Sequence, residues 1–565
     1  MEKVIIIGGG IAGLTAAHEL LLQNYKVILL ERNADVGGIA RTYQNEKNKI
    51  CPYEYSWRAF GRWYQNVYQL MKQIPYNQHE TVFDKLTILQ GGKKTCHKKI
   101  PEYQNTFSKL PLSDIIKTMP LLIQYVSSCD ERNIRNFSGI GLRDYIKQNK
   151  ASDKAENLIG KIVGPYLGFD YHNASVYDLL YGFEMMANNS DSKYNFNILS
   201  LPTNHSWFEP WVRFLQKKGL KLYTETEVKS IQLDAKRDKI ENIVVYMKSS
   251  QKTFTLSSKY YVNCTGPEVL AKLFQPYLTQ RIPSPLRKWI GKIEKVAHNG
   301  RQIQLSIYYY LDKKIYLDKA NTLAYLPNTP WLLMVLSTGH IWGDKYLSKY
   351  CHSEIKEVIS VGICEPYVAG ELIKKPWSQC SREEIKKEAW YQLTHDKDFI
   401  NNICIEDNTP LQDVKVLEFT MWDSYIYKNG VIDTYEPKWA NNVNTRQYRP
   451  EPVSPISNLF IGGSYTNTST GIFSMESAAE SGKHAALALC NYCHNGQKHC
   501  SIVIHHKNKF PLSNYVRNID CVLYKYNMSW FTILLFLVII FIIIIFYNTS
   551  YKSSSKFRKK QIRKR

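Results

Sequence analysis

The sequence lacks an internal repeat, a zinc-finger spacing and an RNA-binding aromatic signature. Its formal charge of +23 would otherwise point to nucleic acid; without such a motif, no nucleic-acid partner is expected. No signal peptide precedes the first strand pattern, which begins at Glu2. The 12 cysteines are mostly scattered, so a reduced, cytosolic setting is the default expectation for the main body. One cluster stands apart: Cys490, Cys493, His494, His499 and Cys500. Its spacing could hold zinc, but the plainer reading is the exposed end of a helix running into a linker. No metal is expected.

What is present is a chain of 565 residues, enough for two or more domains, with 44% hydrophobic and 22% charged residues. That balance fits a globular protein rather than a disordered one. Lys3–Ile7 reads as a buried parallel strand, Ile11–Gln23 as a helix and Lys26–Leu30 as a second buried strand. Between strand and helix lies Gly8-Gly9-Gly10-Ile11-Ala12-Gly13, with Gly8, Gly10 and Gly13 in the G-x-G-x-x-G positions. Such glycines permit the tight turn, a close approach of backbone to a pyrophosphate and helix-on-strand packing. The helix N-terminus then offers free N–H groups to phosphate. Glu31 ends the second strand, where an acid can bind ribose hydroxyls. These features alone reach only to a dinucleotide site.

The following segment contains Glu31, Arg32, Gly37, Gly38, Arg41 and Thr42. Here the sequence resembles the flavin-containing amine oxidase and phytoene desaturase superfamily, in which a GG-x-x-R-[ST] stretch follows the ribose-binding acid. An Arg at that position could neutralise a diphosphate. Trp207–Pro267 resembles the returning half of the same cofactor domain: Val228 matches the residue whose backbone meets adenine, and Gly266 a strand-end glycine near the cofactor. Asn458–Ala486 is similar to the last cofactor motif, with Gly463, Met475 and Glu476 matching. Ser464 departs from the Asp or Glu that many members carry. The resemblance implies an α/β fold: a Rossmann-like FAD-binding domain with an inserted α+β substrate domain. The expected cofactor-binding residues are therefore Gly8, Gly10, Ile11, Ala12, Gly13, Glu31, Arg32, Gly37, Gly38, Arg41, Thr42, Val228, Gly266, Gly463, Ser464 and Met475. The expected layout places the FAD domain at 1–82, 206–270 and 434–490, a mainly helical region at 83–205, a substrate domain at 271–433 and a linker at 491–529.

Pro52–Tyr64 looks like a loop of the carotenoid desaturases, with Glu54, Trp57, Arg58 and Gly61 in matching order. Arg58 is the one catalytic candidate, as a group favouring negative charge on a reduced ring; the alternative is a packed aromatic loop with a surface Arg. No Cys lies between Cys404 and Cys490, so the thioether found in monoamine oxidases is not expected and FAD is expected to bind noncovalently. Four readings stay open: an oxidoreductase of a lipophilic polyene or isoprenoid, an amine oxidase, a flavin-dependent isomerase or mutase, and a non-catalytic membrane or particle component.

Trp530–Tyr547 is an 18-residue run without charge, aromatic at both ends. It reads as a transmembrane helix, followed by a basic tail, 548–565, with eight Lys or Arg and no acid from Tyr551 onward. The expectation is a single-pass anchor whose tail meets anionic lipid, with the catalytic body in the cytosol.

Overall fold

The fold is described from a computed structural model, covering residues 2–45, 50–88, 111–156, 161, 163–164, 168–188, 196–317, 323–401, 403–494, 501–505 and 511–562. Short apolar runs build its central layer. Strands β1 (Lys3–Ile7), β2 (Lys26–Leu30), β3 (Lys221–Tyr223), β4 (Tyr260–Asn263) and β5 (Leu459–Ile461) form a parallel sheet in the order β5-β4-β1-β2-β3. Both faces are covered, which is why Val4–Ile7 of β1 is a continuous apolar run rather than alternating. Val4 and Ile6 pack toward helices α1 (Ile11–Leu22) and α2 (Met475–His494), within one core. Ile5 and Ile7 pack toward the helices Pro267–Phe274 and Ser284–Gly300, within another. Each buried Ile or Val contributes roughly 1.5–3 kcal/mol.

A second, antiparallel sheet joins Leu323–Leu326, Leu333–Ser337, Glu357–Ile363, Leu305–Leu311 and Val416–Met421 in that spatial order. Its strand Leu305–Leu311 is wholly buried. Ile307, Tyr309 and Leu311 face the core of this region. Tyr308 and Tyr310, pointing the other way, pack with Cys51, Tyr53 and Trp422. The sheet is thus pinned to the strand Ile50–Glu54, which belongs to the N-terminal part of the chain. Helices Leu112–Ser127, Asp130–Phe137, Leu142–Gln148 and Val176–Asn188 form a separate cluster around Tyr125, Phe137 and Tyr177.

Three expectations are corrected. The expectation of reduced cysteines is one of them. Cys51 and Cys351 form a disulfide across 300 residues, and Cys404 is also disulfide-bonded, as in oxidising surroundings. Such a distant pairing leaves no local spacing to read. The single-pass anchor is overturned as well, because among the described residues no helix is long and apolar enough to cross a membrane. The helix Trp530–Ile562 runs on into the polar, basic tail. Finally, Cys490 is buried in the core and Cys493 packs against it. Among the described residues neither belongs to a potential metal cluster, and His499 and Cys500 lie outside the described residues.

Candidate functional site

The turn from β1 into α1 sets the geometry. Gly8 adopts φ +99°, and a Cβ on it would lie 3.0 Å from the backbone of Cys264. A Cβ on Gly13 would lie 1.9 Å from Gly8 O, so any side chain there would drive the helix off the turn. Gly10 and Gly37 form a parallel bridge that brings the second glycine pair against the first. The carboxylate of Glu31 ties the loops together, accepting from Gly9 N at 2.7 Å and Asn33 N at 2.9 Å. Burial raises its pKa, against the pull of those two N–H donors.

A cavity of about 1190 Å³ opens above the carboxyl ends of β1, β2 and β4, where ligands of open parallel sheets bind. Gly8, Gly10, Ile11, Ala12, Glu31, Arg32, Gly37, Gly38, Arg58, Val228, Gly266, Gly463, Ser464 and Met475 all line it. Segments from the start, the middle and the end of the parallel sheet therefore meet at one space. Phe473, Ser474 and Met475 line the wall at the start of α2, presenting a helix N-terminus to the cavity.

Three residues of the expected set sit elsewhere. Gly13 underlies the turn. Thr42 is buried, donating to Glu54 Oε1 at 2.7 Å. Arg41 is clasped by Glu436 through two bonds of 2.9 Å and stacks 4.6 Å over Trp422. Its charge is spent on a carboxylate rather than aimed at a diphosphate. Burial pushes Glu436 up, but Arg41 and Arg32 outweigh it and hold the carboxyl below its usual range. Arg58 does reach the cavity wall. It pairs with Glu54 and donates to Ile39 O at 2.9 Å and Thr203 Oγ1 at 3.2 Å, so it is a buttressed group and not a free surface Arg. Glu476 is wholly buried, accepting from the backbone N–H groups of Asn66 and Val67 and bonded to His505 Nε2; it anchors α2.

The sequence reading missed Lys438, Gln304, Glu436, Arg301 and Cys264, all on the cavity wall. Lys438 and Trp439 pair with Gln302 and Arg301 in a two-stranded ribbon. The one signal was a Lys in the otherwise apolar Pro437–Ala440 segment. Away from the glycine turn the cavity wall carries Trp57, Trp63, Met186, Leu323, Ile472 and Phe473, set among charged and polar groups that include Arg58, Arg62, Gln304 and Lys438.

The parallel sheet, its glycine turn and this large cavity define a dinucleotide-dependent oxidoreductase. The chain belongs to the flavin containing amine oxidoreductase family, whose model matches residues 11–490. It is 20% identical over 516 residues to the zeta-carotene desaturase of Arabidopsis thaliana, covering 86% of this chain and 85% of that protein. It is 21% identical over 523 residues to the zeta-carotene desaturase of Synechocystis, covering 86% and 97%. The structure is similar to cyclohexylamine oxidase from Brevibacterium oxydans, with TM-score 0.53 and 15% identity, covering 87% of this chain and 99% of that one. The protein is an FAD-dependent oxidoreductase.

Proposed function

We propose that this protein desaturates or otherwise oxidises a neutral, lipophilic substrate of the polyene or isoprenoid class. The observation that carries the reading is the full-length likeness to zeta-carotene desaturases. The apolar side chains of Trp57, Trp63, Met186, Leu323, Ile472 and Phe473 on the wall support it, since they suit a substrate without charge. The residues present fit FAD: the Gly8–Ala12 turn and Gly37–Gly38 would hold the diphosphate, Glu31 the ribose, Val228 the adenine, and Gly266, Gly463, Ser464 and Met475 the flavin end. FAD supplies the two-electron oxidation when bound. Arg58, held by Glu54, Thr203 and Ile39, would present a fixed positive charge to the cavity, and Arg41 would act indirectly, by fixing Glu436. Cys264, the thiol on the wall, is pushed up to about 12 by burial, which keeps it protonated and supports noncovalent binding.

The test is visible absorption of the purified full-length chain, then anaerobic addition of polyenes and of alkylamines in parallel. Flavin bands bleached by a polyene and not by amines support the reading. Bleaching by amines alone would replace it with the amine oxidase alternative.

A further inference from the structure

Lys438 stands out among the groups lining the cavity. It is 5% exposed, and among the described residues no carboxylate forms an ion pair with it. Its Nζ donates to Gly168 O and, at 3.0 Å, to Gln304 Oε1, and it lies 4.9 Å from the Phe473 ring centroid. Both hydrogen-bond partners are neutral acceptors. An ammonium carries three N–H donors and needs three acceptors, whereas a neutral amine carries two and keeps a lone pair. Nζ has two carbonyl acceptors here, and its third position, N–H or lone pair, faces the Phe473 ring on the cavity wall. The site is also shaped for this nitrogen: Gly168 has φ +67°, and a Cβ there would lie 2.3 Å from Nζ.

We propose that Lys438 is the proton acceptor of the substrate half of the site. This rests on the reading that a neutral polyene is desaturated with bound FAD. When a saturated carbon pair becomes a double bond, one C–H bond breaks with its hydrogen leaving as a proton to Lys438 Nζ. Its electron pair forms the new C=C bond. The hydrogen on the neighbouring carbon leaves with its own electron pair to the flavin as oxidant, so two electrons and two hydrogens are accounted for.

The electrostatic surroundings agree. Burial pushes Lys438 down to about 7, while Cys364 and Asp170 pull the other way. Cys364 is itself pushed up to about 12 by burial, so near neutrality it carries no charge and its pull is absent. The other charged groups on the adjoining elements are already engaged: Glu365 with His172, and Arg301 with Glu268 and Asp433. The sign follows. As pH rises through about 7 the amine loses its proton and becomes able to accept one from substrate.

The experiment uses the full-length flavin-loaded protein, with neutral polyene in detergent micelles and anaerobic stopped-flow detection of flavin bleaching from pH 5.5 to 9. The wild-type rate should rise with pH and level above about 7. Lys438→Gln and Lys438→Arg should each lose about 100-fold and the pH step, while flavin content and the spectral change on substrate binding stay as in wild type. Lys438→Ala should regain rate with added methylamine, which a merely structural lysine would not allow. Without substrate, the flavin bands of wild type should shift with a midpoint near 7, and those of Lys438→Gln should not. Equal rates and pH profiles in wild type and Lys438→Gln overturn the role of Lys438 alone. A flavin-loaded wild type that no polyene bleaches overturns the substrate reading and this role with it.

Discussion

The two ends of the cavity are built on different principles. At the end we assign to the nucleotide, backbone does the work: glycines bring main chain to main chain, and the carboxylate of Glu31 is held by the N–H groups of Gly9 and Asn33. At the substrate end, side chains do the work, with Lys438, Gln304, Trp57 and Phe473 drawn from four separate segments. At Gly8 and Gly13 the backbone site leaves no room for a Cβ, because main chain faces it. A side-chain site tolerates changes of size and fails on changes of charge or proton count.

That contrast can be broken by mutation. The largest effect is expected for Gly13→Val, whose Cβ would meet Gly8 O. The chain should lose bound flavin altogether, read as colourless protein or insoluble product; a yellow, soluble variant would show that the turn can relax. Next comes Arg58→Met, which strands the carboxylate of Glu54 in a site where both side chains are 9% exposed. It should cost about 3 kcal/mol in denaturant unfolding, and adding Glu54→Gln should return much of the loss. If the double variant is no better than the single, the pair is not coupled. Cys51→Ser, which removes the Cys51–Cys351 disulfide, should cost about 2–4 kcal/mol, seen as a lower Tm with a smaller response to reductant, the rest of that response belonging to the disulfide at Cys404. The smallest effect should come from Glu357→Gln. Glu357 is fully buried and its carboxyl is pushed up to about 7 by burial, against N–H donors from Val358 and Gly339. A carboxyl raised on folding favours the native state below the unfolded value, and that contribution is lost as pH climbs through about 7. The variant should therefore match wild type near pH 4 and melt a few degrees higher at pH 8; a Tm difference independent of pH would reject the assignment.

The same contrast explains what was legible. The nucleotide end was readable because its chemistry depends on missing side chains, and glycine spacing survives as a linear pattern in Gly8, Gly10 and Gly13. Gly266, Gly463 and Ser464 were readable only through resemblance, since each is set by the strand before it. Arg41 was misjudged because its partner, Glu436, lies 395 residues away. Lys438 was invisible for the same reason: nothing near it in sequence shows that Gly168, Gln304 and Cys364 fold around it. The apolar run at Trp530–Tyr547 was read as a span from its composition, whereas among the described residues no helix is long and apolar enough to cross a membrane.

The order of strands in the parallel sheet also bears on how the chain is made. Strand β4 lies between β1 and β5, yet β5 is synthesised last. At ~5–20 residues per second, the roughly 200 residues between Asn263 and Leu459 take about 10–40 s to leave the ribosome. Throughout that interval the nascent chain carries an open, apolar sheet edge at Tyr260–Asn263. Cys351 emerges before β5 does, so the link to Cys51 can close while the edge is still bare. Biogenesis of this protein should accordingly depend on a chaperone that shields the edge until the C-terminal strand arrives.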